Sequence, residues 1–481
     1  MEVLYERVAG LDIGKKTLTV CVRTPGPRGG RRAQTRTFST MTRSLQVMRD
    51  WLLSEGVTIA AMESTSTYWK APFYCLEEVM EAWLLNAAHM KAVPGRKTDI
   101  KDAEWIAQLL EHGLLRPSFV PPPDIRRLRM LTRYREQLMG DRTREATRLE
   151  LMLKDASIKL SSVASSLTTV SARAMLTAMI DGERDPRALA ELARGRMRVK
   201  IPQLTDALIG HFDANHARLA RSILARLDAV EAALAELDAV LREAFAPWAR
   251  QLELLQTIPG VGEKVAQVII AETGADMSRF PSAGHLAAWA GVAPAIYESA
   301  GKRSPAGTRH GNKWLNHMLV EAAGSVGRMK GTNHLSAQHA RLTARRGMGR
   351  AQVAVAHSIL VSAYYMLKND EPYRELGADW LTRRNTEAHT RRLVAQLEKL
   401  GHTVVLDPVG KVDCRRTGWT GSARPALTRA CSSLIHGSAW HLILYISSSG
   451  RAVTGERVYL ACWRRWSRMR SAQRRRCAAR R

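Results

Sequence analysis

The sequence is poor in cysteine and has no long apolar run. Only Cys21 and Cys75 occur in the first 408 of its 481 residues, which is too few for a disulfide framework or a zinc cluster and is typical of a reducing compartment. No stretch approaches the ~18 apolar residues that a membrane-spanning helix needs. The first ten residues include Glu2, Glu6 and Arg7, so we expect no secretory signal and a cytoplasmic protein without a membrane partner.

Acidic residues are also scarce relative to basic ones. The chain has 73 Lys+Arg against 45 Asp+Glu, a formal net charge of +28. A compact protein with this surplus repels itself unless a polyanion is near, so nucleic acid is the leading partner, although basic membrane-surface proteins share the sign.

Half of that surplus lies in the last 73 residues, from Val409 to Arg481. Sixteen Lys or Arg residues stand there against Asp413 and Glu456, a net charge of +14. Four of the six cysteines lie there as well. We interpret residues 409–481 as a basic, disordered tail. It is either an appendage to the working fold or an arm that binds RNA or DNA backbone.

The first 120 residues alternate strand-like and helix-like patterns. The predicted strands are Val8–Ile13, Leu18–Arg23, Val57–Met62 and Ala82–Asn86. The predicted helices are Met41–Ser54, Phe73–Glu81 and Asp99–Glu111. This alternation indicates an α/β sheet domain over residues 1–120, which the prolines Pro121, Pro122 and Pro123 end.

The rest of the chain reads as mainly helical. Residues 121–250 contain apolar residues at heptad spacing: Ile223, Leu227, Val230, Leu234, Leu237 and Leu241. This spacing predicts a coiled coil that dimerises the protein, or a helix packed within its own domain. Residues 251–370 form a second compact domain, and a C-terminal helix follows over 371–408.

Four carboxylates of the first domain form a candidate metal site. Asp12 and Glu63 end apolar strands, and Asp99 and Asp102 share one face at the start of a helix. A divalent cation stabilises such a cluster, and Mg²⁺ prefers carboxylate oxygens. Metal ions held there can activate a nucleophile in phosphodiester chemistry. Asp99 and Asp102 alone are also ordinary helix-start residues, and Glu63 alone can simply end its strand.

A basic, glycine-containing loop in the second domain carries a candidate nucleophile, Ser299. The surrounding basic residues are Lys302, Arg303, Arg309 and Lys313, which can neutralise a phosphate. A serine hydroxyl needs a base or a metal to attack phosphorus. Glu298, His310 or the distant carboxylates can supply one. Without further context, phosphate binding or turn formation is the more common role of a serine in such a loop. Ser304 is a second candidate.

A glycine turn precedes that loop. Gly260 and Gly262 lie in the sequence Ile258–Gly262, between two helical patterns. This arrangement resembles the hairpin of a helix–hairpin–helix, whose backbone N–H groups bind DNA phosphate. A plain turn between helices is the alternative.

These motifs, in this order, resemble those of the DEDD-type insertion-sequence transposases. Gly10–Lys15, Met62–Ser64 and Thr98–Ala103 carry the resemblance in the first domain, and Ile258–Asn312 carries it in the second. The resemblance implies a RuvC-like (RNase H-like) α/β N-terminal domain, a helical coiled-coil linker and a mainly α-helical C-terminal transposase domain. It runs from about Val8 to Leu406 and fades beyond.

The resemblance also implies roles for individual residues. Asp12, Glu63, Asp99 and Asp102 would be the Mg²⁺ ligands, and Ser299 the nucleophile that forms a covalent phosphoserine link. Double-stranded DNA and a bridge RNA encoded by the element would be partners of a dimer or tetramer in the bacterial nucleoid.

Three other functions remain open at this stage. They are a site-specific DNA invertase of the same family, a RuvC-like nuclease that resolves junctions with metal-activated water, and a non-catalytic nucleic-acid-binding protein.

Overall fold

A computed structural model describes residues 2–27, 29–86, 99–295, 297–299, 301–304, 307–384 and 386–406. The predicted basic tail lies outside the described residues. The described chain divides into two compact units. Of the described residues, those up to Ser325 and Gln352–Tyr373 form one unit, and Val326–Ala351 and those from Arg374 to Leu406 form the other. The four domain boundaries expected from the sequence stay predictions.

A five-stranded mixed sheet forms the N-terminal part of the first unit. Its strands are β1 (Val8–Ile13), β2 (Thr17–Pro25), β3 (Arg31–Ser39), β4 (Ile59–Glu63) and β5 (Glu81–Leu85). The spatial order is β3-β2-β1-β4-β5. The first three strands form an antiparallel meander, and β4 and β5 run parallel to β1. The expected RNase H-like α/β fold is confirmed.

Helices cover both faces of this sheet. They are α1 (Thr42–Ser54), α2 (Lys70–Leu76) and α3 (Asp99–Glu111). Leu45 and Met48 of α1 and Phe73 of α2 pack with Leu11 on one face. Ala103 and Ala107 of α3 pack with Val8 and Ile59 on the other. Strand residues alternate between two apolar cores because successive side chains point to opposite faces.

A long antiparallel helix pair follows. Its partners are α4 (Pro123–Asp155) and α8 (Ala214–Ala244). Pro123 begins α4 because the first turn of a helix does not need the missing N–H. Ion pairs join the two helices from Arg135–Asp238 to Arg142–Glu231 and Arg226–Glu145.

The apolar seam on α8 faces its own chain. Five of its six residues are buried, namely Ile223, Leu227, Leu234, Leu237 and Leu241. Helix α4 packs along α8. The seam therefore has an intramolecular partner, and its role in dimerisation stays a prediction. The helices α5 (Val170–Ile180), α6 (Pro186–Glu191) and α7 (Ile201–Ala207) enclose a further apolar core at the far end of the pair.

Five further helices flank the serine hairpin along the chain. They are α9 (Ala249–Gln256), α10 (Glu263–Thr273), α11 (Ala283–Trp289), α12 (Lys313–Arg328) and α14 (Met348–Asn369). A two-stranded hairpin, β6 (Tyr297–Ser299) and β7 (Lys302–Ser304), lies between α11 and α12.

The second unit contains α13 (His334–Arg346), α15 (Trp380–Arg384) and α16 (Thr386–Lys399). Asn333 caps α13 and exchanges hydrogen bonds with Ser336. Glu375 accepts a hydrogen bond from the backbone N–H of His334 at 2.7 Å. The helices α15 and α16 lie within residues 371–408, where a C-terminal helix is predicted. Along the described part of the chain, no helix is long and apolar enough to cross a membrane.

Candidate functional site

Two of the predicted carboxylates end neighbouring parallel strands. Leu11 of β1 is in register with Met62 of β4, which sets the next residues, Asp12 and Glu63, side by side. Parallel strands lie about 4.8 Å apart, and side chains at the same register point to the same face. Both residues are half-buried. The sheet register alone therefore brings these two carboxylates together.

The first turn of helix α3, which contains Asp99 and Asp102, lies toward the same edge of the sheet. Gly10 packs directly on the α3 backbone, since a Cβ on it would meet Ala103 and Ala107 closer than 3.0 Å. At the far end of α3, the carbonyl of Glu111 accepts hydrogen bonds from the N–H groups of Leu4 and Tyr5 before β1 begins. The helix thus runs antiparallel to β1. Its first turn, with Asp99 and Asp102, lies toward the Asp12 end of the strand.

An ion-pair cluster fixes the opposite end of α3. The buried carboxylate of Glu111 accepts hydrogen bonds from Arg23 of β2 at 2.8 Å and Arg31 of β3 at 3.0 Å. Burial alone would raise the pKa of Glu111, but the hydrogen bonds and charges of the two arginines hold it below its ordinary value. Helix α3 is therefore tied to the sheet by backbone contact at Gly10 and by charge at Glu111.

The carboxylate edge has the ligand chemistry of a magnesium site. Its donors are carboxylate oxygens, the ligands that Mg²⁺ prefers. Among the side chains that the structure describes, no three His, Cys, Asp or Glu groups are close enough together to hold a metal ion. The side chain of Asp99 is not among them. Asp12, Glu63 and Asp102 thus share one edge of the sheet without forming a closed ligand cage.

The predicted serine loop folds as a β-hairpin. Ser299 pairs with Lys302 across a two-residue turn, and Tyr297 pairs with Ser304. Gly301 in the turn has a positive φ of 73°, which glycine adopts without strain. A basic, glycine-containing loop was predicted here, because three-residue strands are too short to show an alternating pattern. For Ser299, Ser304 and Arg303 the backbone alone is described.

Three of the four predicted phosphate contacts are exposed or half-exposed cations. Lys302 lies on β7 beside Ser299, Arg309 follows the hairpin, and Lys313 begins α12. Lys313 also lies over the ring of Trp314, with Nζ 5.0 Å from the ring centroid. The fourth residue, Arg303, lies opposite Glu298 in the hairpin. Positively charged residues therefore lie on and around the hairpin.

The two ends of the hairpin segment are locked together at its base. Gly291 and Gly311 cross so closely that a Cβ on Gly311 would meet the Gly291 backbone closer than 3.0 Å. Asn312 donates its N–H to the Trp289 carbonyl at 3.0 Å. The side chain of Asn316 donates to the Gly291 carbonyl at 3.0 Å. The position of Ser299 is therefore set from the base of the hairpin.

A buried charge network ties that base to the long helix α4. The carboxylate of Glu272, which is fully buried, accepts hydrogen bonds from Arg133 at 2.7 and 2.8 Å and from Asn312 at 2.6 Å. The Nε of Arg129 lies 3.2 Å from the same carboxylate. Burial lowers the pKa of Arg129 to about 10. Asn312 also caps α12 by accepting from the N–H groups of Trp314 and Leu315.

Sequence analysis did not identify this network. Its one signal is a charged residue, Glu272, at the end of the apolar run Val265–Ala271. A buried carboxylate in such a run requires a cationic partner. The partners Arg129 and Arg133 lie about 140 positions earlier, and no local pattern links them to Glu272.

The glycine turn between α9 and α10 lies where sequence analysis expected it. Gly260 has a positive φ of 85°. Gly262 is the N-cap of α10 and supplies no side-chain cap for the first N–H groups of that helix. Lys264, in the first turn, binds Asp238 of α8 at 2.7 Å. The geometry is compatible with the predicted phosphate contact and with a plain turn.

Family models match both parts of the chain that carry these sites. Residues 9–158 match a DEDD transposase model, described as "Transposase". Residues 252–340 match "Transposase IS116/IS110/IS902 family". Residues 9–158 and 252–340 of this chain are thus each similar to a transposase domain.

Several known proteins are similar to it. The insertion element IS900 42 kDa protein of Mycobacterium paratuberculosis is 30% identical over 222 residues, which are 42% of this chain and 54% of that protein. The insertion element IS110 43.6 kDa protein of Streptomyces coelicolor is 28% identical over 260 residues, 48% of this chain and 61% of that protein. The matches thus span little more than half the length of these relatives.

One solved structure is also similar. The RuvC structure of Thermus thermophilus matches at 13% sequence identity and a TM-score of 0.19. The match covers 23% of this chain and 99% of that one.

Proposed function

We propose that this protein is a DNA transposase that excises and inserts an insertion sequence by metal-assisted serine attack on DNA phosphodiesters. The observation that carries the proposal is the meeting of Asp12, Glu63 and the first turn of α3 at one sheet edge. This edge occurs in a chain whose residues 9–158 and 252–340 match transposase models. The second domain adds a serine among cations.

The four carboxylates would hold the metal. Asp12, Glu63, Asp99 and Asp102 offer only oxygen donors, which suits Mg²⁺. When bound, Mg²⁺ would stabilise negative charge that develops on the reacting phosphate and its leaving oxygen. Asp12 and Glu63 belong to a sheet with a fully buried core, so their positions are fixed. They would therefore fix where the metal lies and where the negative charge is stabilised.

Ser299 would be the nucleophile. Its Oγ would form a bond to phosphorus while the bond from phosphorus to one sugar oxygen breaks, which leaves a covalent phosphoserine and a free sugar hydroxyl. The proton of the serine would pass to a base, with Glu298 and His310 as the candidates on the same segment, and the departing oxygen would take up a proton. Lys302, Arg303, Arg309 and Lys313 would hold the phosphate. A sugar hydroxyl of the second DNA partner would then reverse the reaction and complete the exchange.

The partners follow from charge and from the resemblance of the sequence. The net charge of +28 supports a polyanionic partner, which we take to be double-stranded DNA. Gly260 and Gly262 would add backbone contacts to phosphate at the start of α10. Guidance by a bridge RNA and assembly into a dimer or tetramer belong to the same proposal. A site-specific invertase of the family would use the same residues.

Strand exchange by purified full-length protein tests the proposal. The assay combines Mg²⁺, the RNA transcribed beside the gene, and DNA that carries the element ends and a target. Wild-type protein should join the two DNA partners, and Ser299→Ala and Asp12→Asn should both abolish joining. If Ser299→Ala still cleaves DNA in a reaction that needs Asp12, the protein is a nuclease that uses water, and the serine mechanism is wrong.

A further inference from the structure

A groove between α2 and the first half of α4 combines aromatic and cationic side chains. It encloses a cavity of about 520 Å³. Its wall includes Trp69, Lys70, Tyr74, Arg126, Arg133 and Tyr134. Trp69, the first residue of the wall along the chain, lies six residues after Glu63, in the segment that joins β4 to α2. Neither the transposase chemistry nor the heptad seam accounts for this composition.

The groove has an excess of positive charge. Among the described residues, its wall contains four cations and no carboxylate. Arg126 is paired with Glu77 behind the wall, whereas Arg129 and Arg133 share the single carboxylate of Glu272. Lys70 is exposed. Two positive charges are therefore left over, and an anion is the ligand that balances them.

The aromatic side chains offer flat surfaces beside these cations. Tyr134 is 52% exposed, and Met130, one turn earlier on α4, is 64% exposed. The rings of Trp69 and Tyr74 meet edge to face at 6.2 Å. The Arg126 guanidinium already stacks on Tyr74, with 4.1 Å between its central carbon and the ring centroid. Exposed aromatic rings beside cations are the elements of sites that stack bases and bind phosphates.

Size and charge select the occupant. A cavity of about 520 Å³ is in the range of roughly 300–1,000 Å³ that encloses a drug-sized molecule, so it takes one or two bases and no duplex. The chain's own tail has a net charge of +14 and is repelled by a basic wall. An acidic peptide would match the charge but would leave the aromatic faces without flat partners.

We propose that this groove binds an unpaired segment of nucleic acid, with bases stacked on Tyr134 and Trp69 and a phosphate near Lys70 and Arg133. The site would hold a displaced DNA strand while double-stranded DNA is bound elsewhere. This binding proposal does not depend on which residue attacks DNA.

A binding measurement with a matched control tests the site. The probe is a fluorescein-labelled oligothymidylate of 12 nucleotides, and the readout is its fluorescence anisotropy with the full-length protein. Tyr134→Ala should weaken binding about 5- to 100-fold, as expected for a lost stacking partner, and Tyr134→Phe should retain the affinity. Tyr365→Ala is the control, because Tyr365 is also 52% exposed and lies outside the groove on α14. An equal effect of Tyr134→Ala and Tyr365→Ala would overturn the proposal.

Two further measurements locate the bound strand. Lys70→Ala should lower the slope of log affinity against log salt by about 0.7, the value for one phosphate contact with a single strand. Photo-crosslinking of a 5-iodouracil-substituted probe should label Trp69, Tyr74 or Tyr134. Crosslinks confined to other segments would contradict the site. The proposal would also be contradicted if Tyr134→Ala weakened the binding of a labelled oligoglutamate and left the affinity for the oligonucleotide unchanged.

Discussion

The two halves of the candidate site are built in opposite ways. The carboxylates are carried by a sheet in which Val8, Ala9 and Leu11 have no exposed surface, so backbone pairing fixes their positions. Ser299 lies on a three-residue strand of a hairpin that is locked at its base. The positions of the carboxylates therefore depend on close backbone packing. The position of Ser299 depends instead on buried polar side chains at the base of the hairpin. The predictions below separate these two dependences.

The largest effect on stability should come from Glu272, the centre of the charge network below the hairpin. Glu272→Gln keeps the shape of the side chain but leaves the largely buried Arg129 and the half-buried Arg133 without their counter-charge, which costs roughly 3–5 kcal/mol of the free energy of unfolding. Urea denaturation measures this loss. Asp124→Asn is the control, because its pair with Arg127 is exposed and its loss should cost no more than about 0.5 kcal/mol. Equal costs for the two variants would show that the network does not anchor the hairpin.

A smaller effect should follow from a methyl group on Gly10. Gly10→Ala forces α3 away from β1, because the new Cβ would collide with the backbone of Ala103 and Ala107. We expect a loss of roughly 1–3 kcal/mol in stability and a loss of Mg²⁺-dependent cleavage, since Asp102 shifts with the helix. In Gly30→Ala the new Cβ meets nothing within 4 Å, so calorimetry and cleavage should match wild type. Full cleavage by Gly10→Ala would show that the helix position is unimportant.

A third variant perturbs the hairpin base alone. Gly311→Ala places a Cβ against the Gly291 backbone, and we expect a global cost of only about 1 kcal/mol because the exposed hairpin can shift. Hydrogen exchange in residues 289–316 should nevertheless accelerate. Gly307→Ala, whose Cβ would meet nothing within 4 Å, should exchange like wild type. If Gly311→Ala also exchanged like wild type, the hairpin would not be held at its base.

The smallest effect should be a pH dependence on the sheet side. The pKa of Glu111 is held below its ordinary value by Arg23 and Arg31, so its carboxylate stabilises the fold above the unfolded pKa of about 4.3. That contribution is lost as pH falls through the folded pKa. Between pH 6 and pH 3, wild type should therefore lose more thermal stability than Glu111→Gln. Parallel melting curves for the two proteins over this range would refute the assignment.

Sequence reasoning recovered the sheet because its strands are apolar and its helices periodic. Helix α3 begins and ends at the predicted residues, Asp99 and Glu111. Strand β3 was missed because Arg31–Ser39 is a polar edge strand with no alternating pattern. Asp12 and Glu63 lie side by side because β1 and β4 are parallel and in register. Both residues end apolar strands in the sequence, so their proximity could be predicted once the two strands were taken as neighbours.

The supports of the serine half were not foreseeable in the same way. The contacts of Glu272 with Arg133 and Asn312 join positions 139 and 40 residues apart, and only the folded chain brings them together. The crossing of Gly291 and Gly311 depends on where α11 ends and α12 begins. The roles of Asp12, Glu63, Asp99, Asp102 and Ser299 stay predictions that chemistry must test.

The most direct test of the central claim is to trap a covalent protein–DNA adduct and to map the modified residue by mass spectrometry. The account predicts a phosphoserine at Ser299, no adduct in Ser299→Ala, and a normal adduct in Ser304→Ala. An adduct on Ser304, or strand exchange by Ser299→Ala without any adduct, would contradict it.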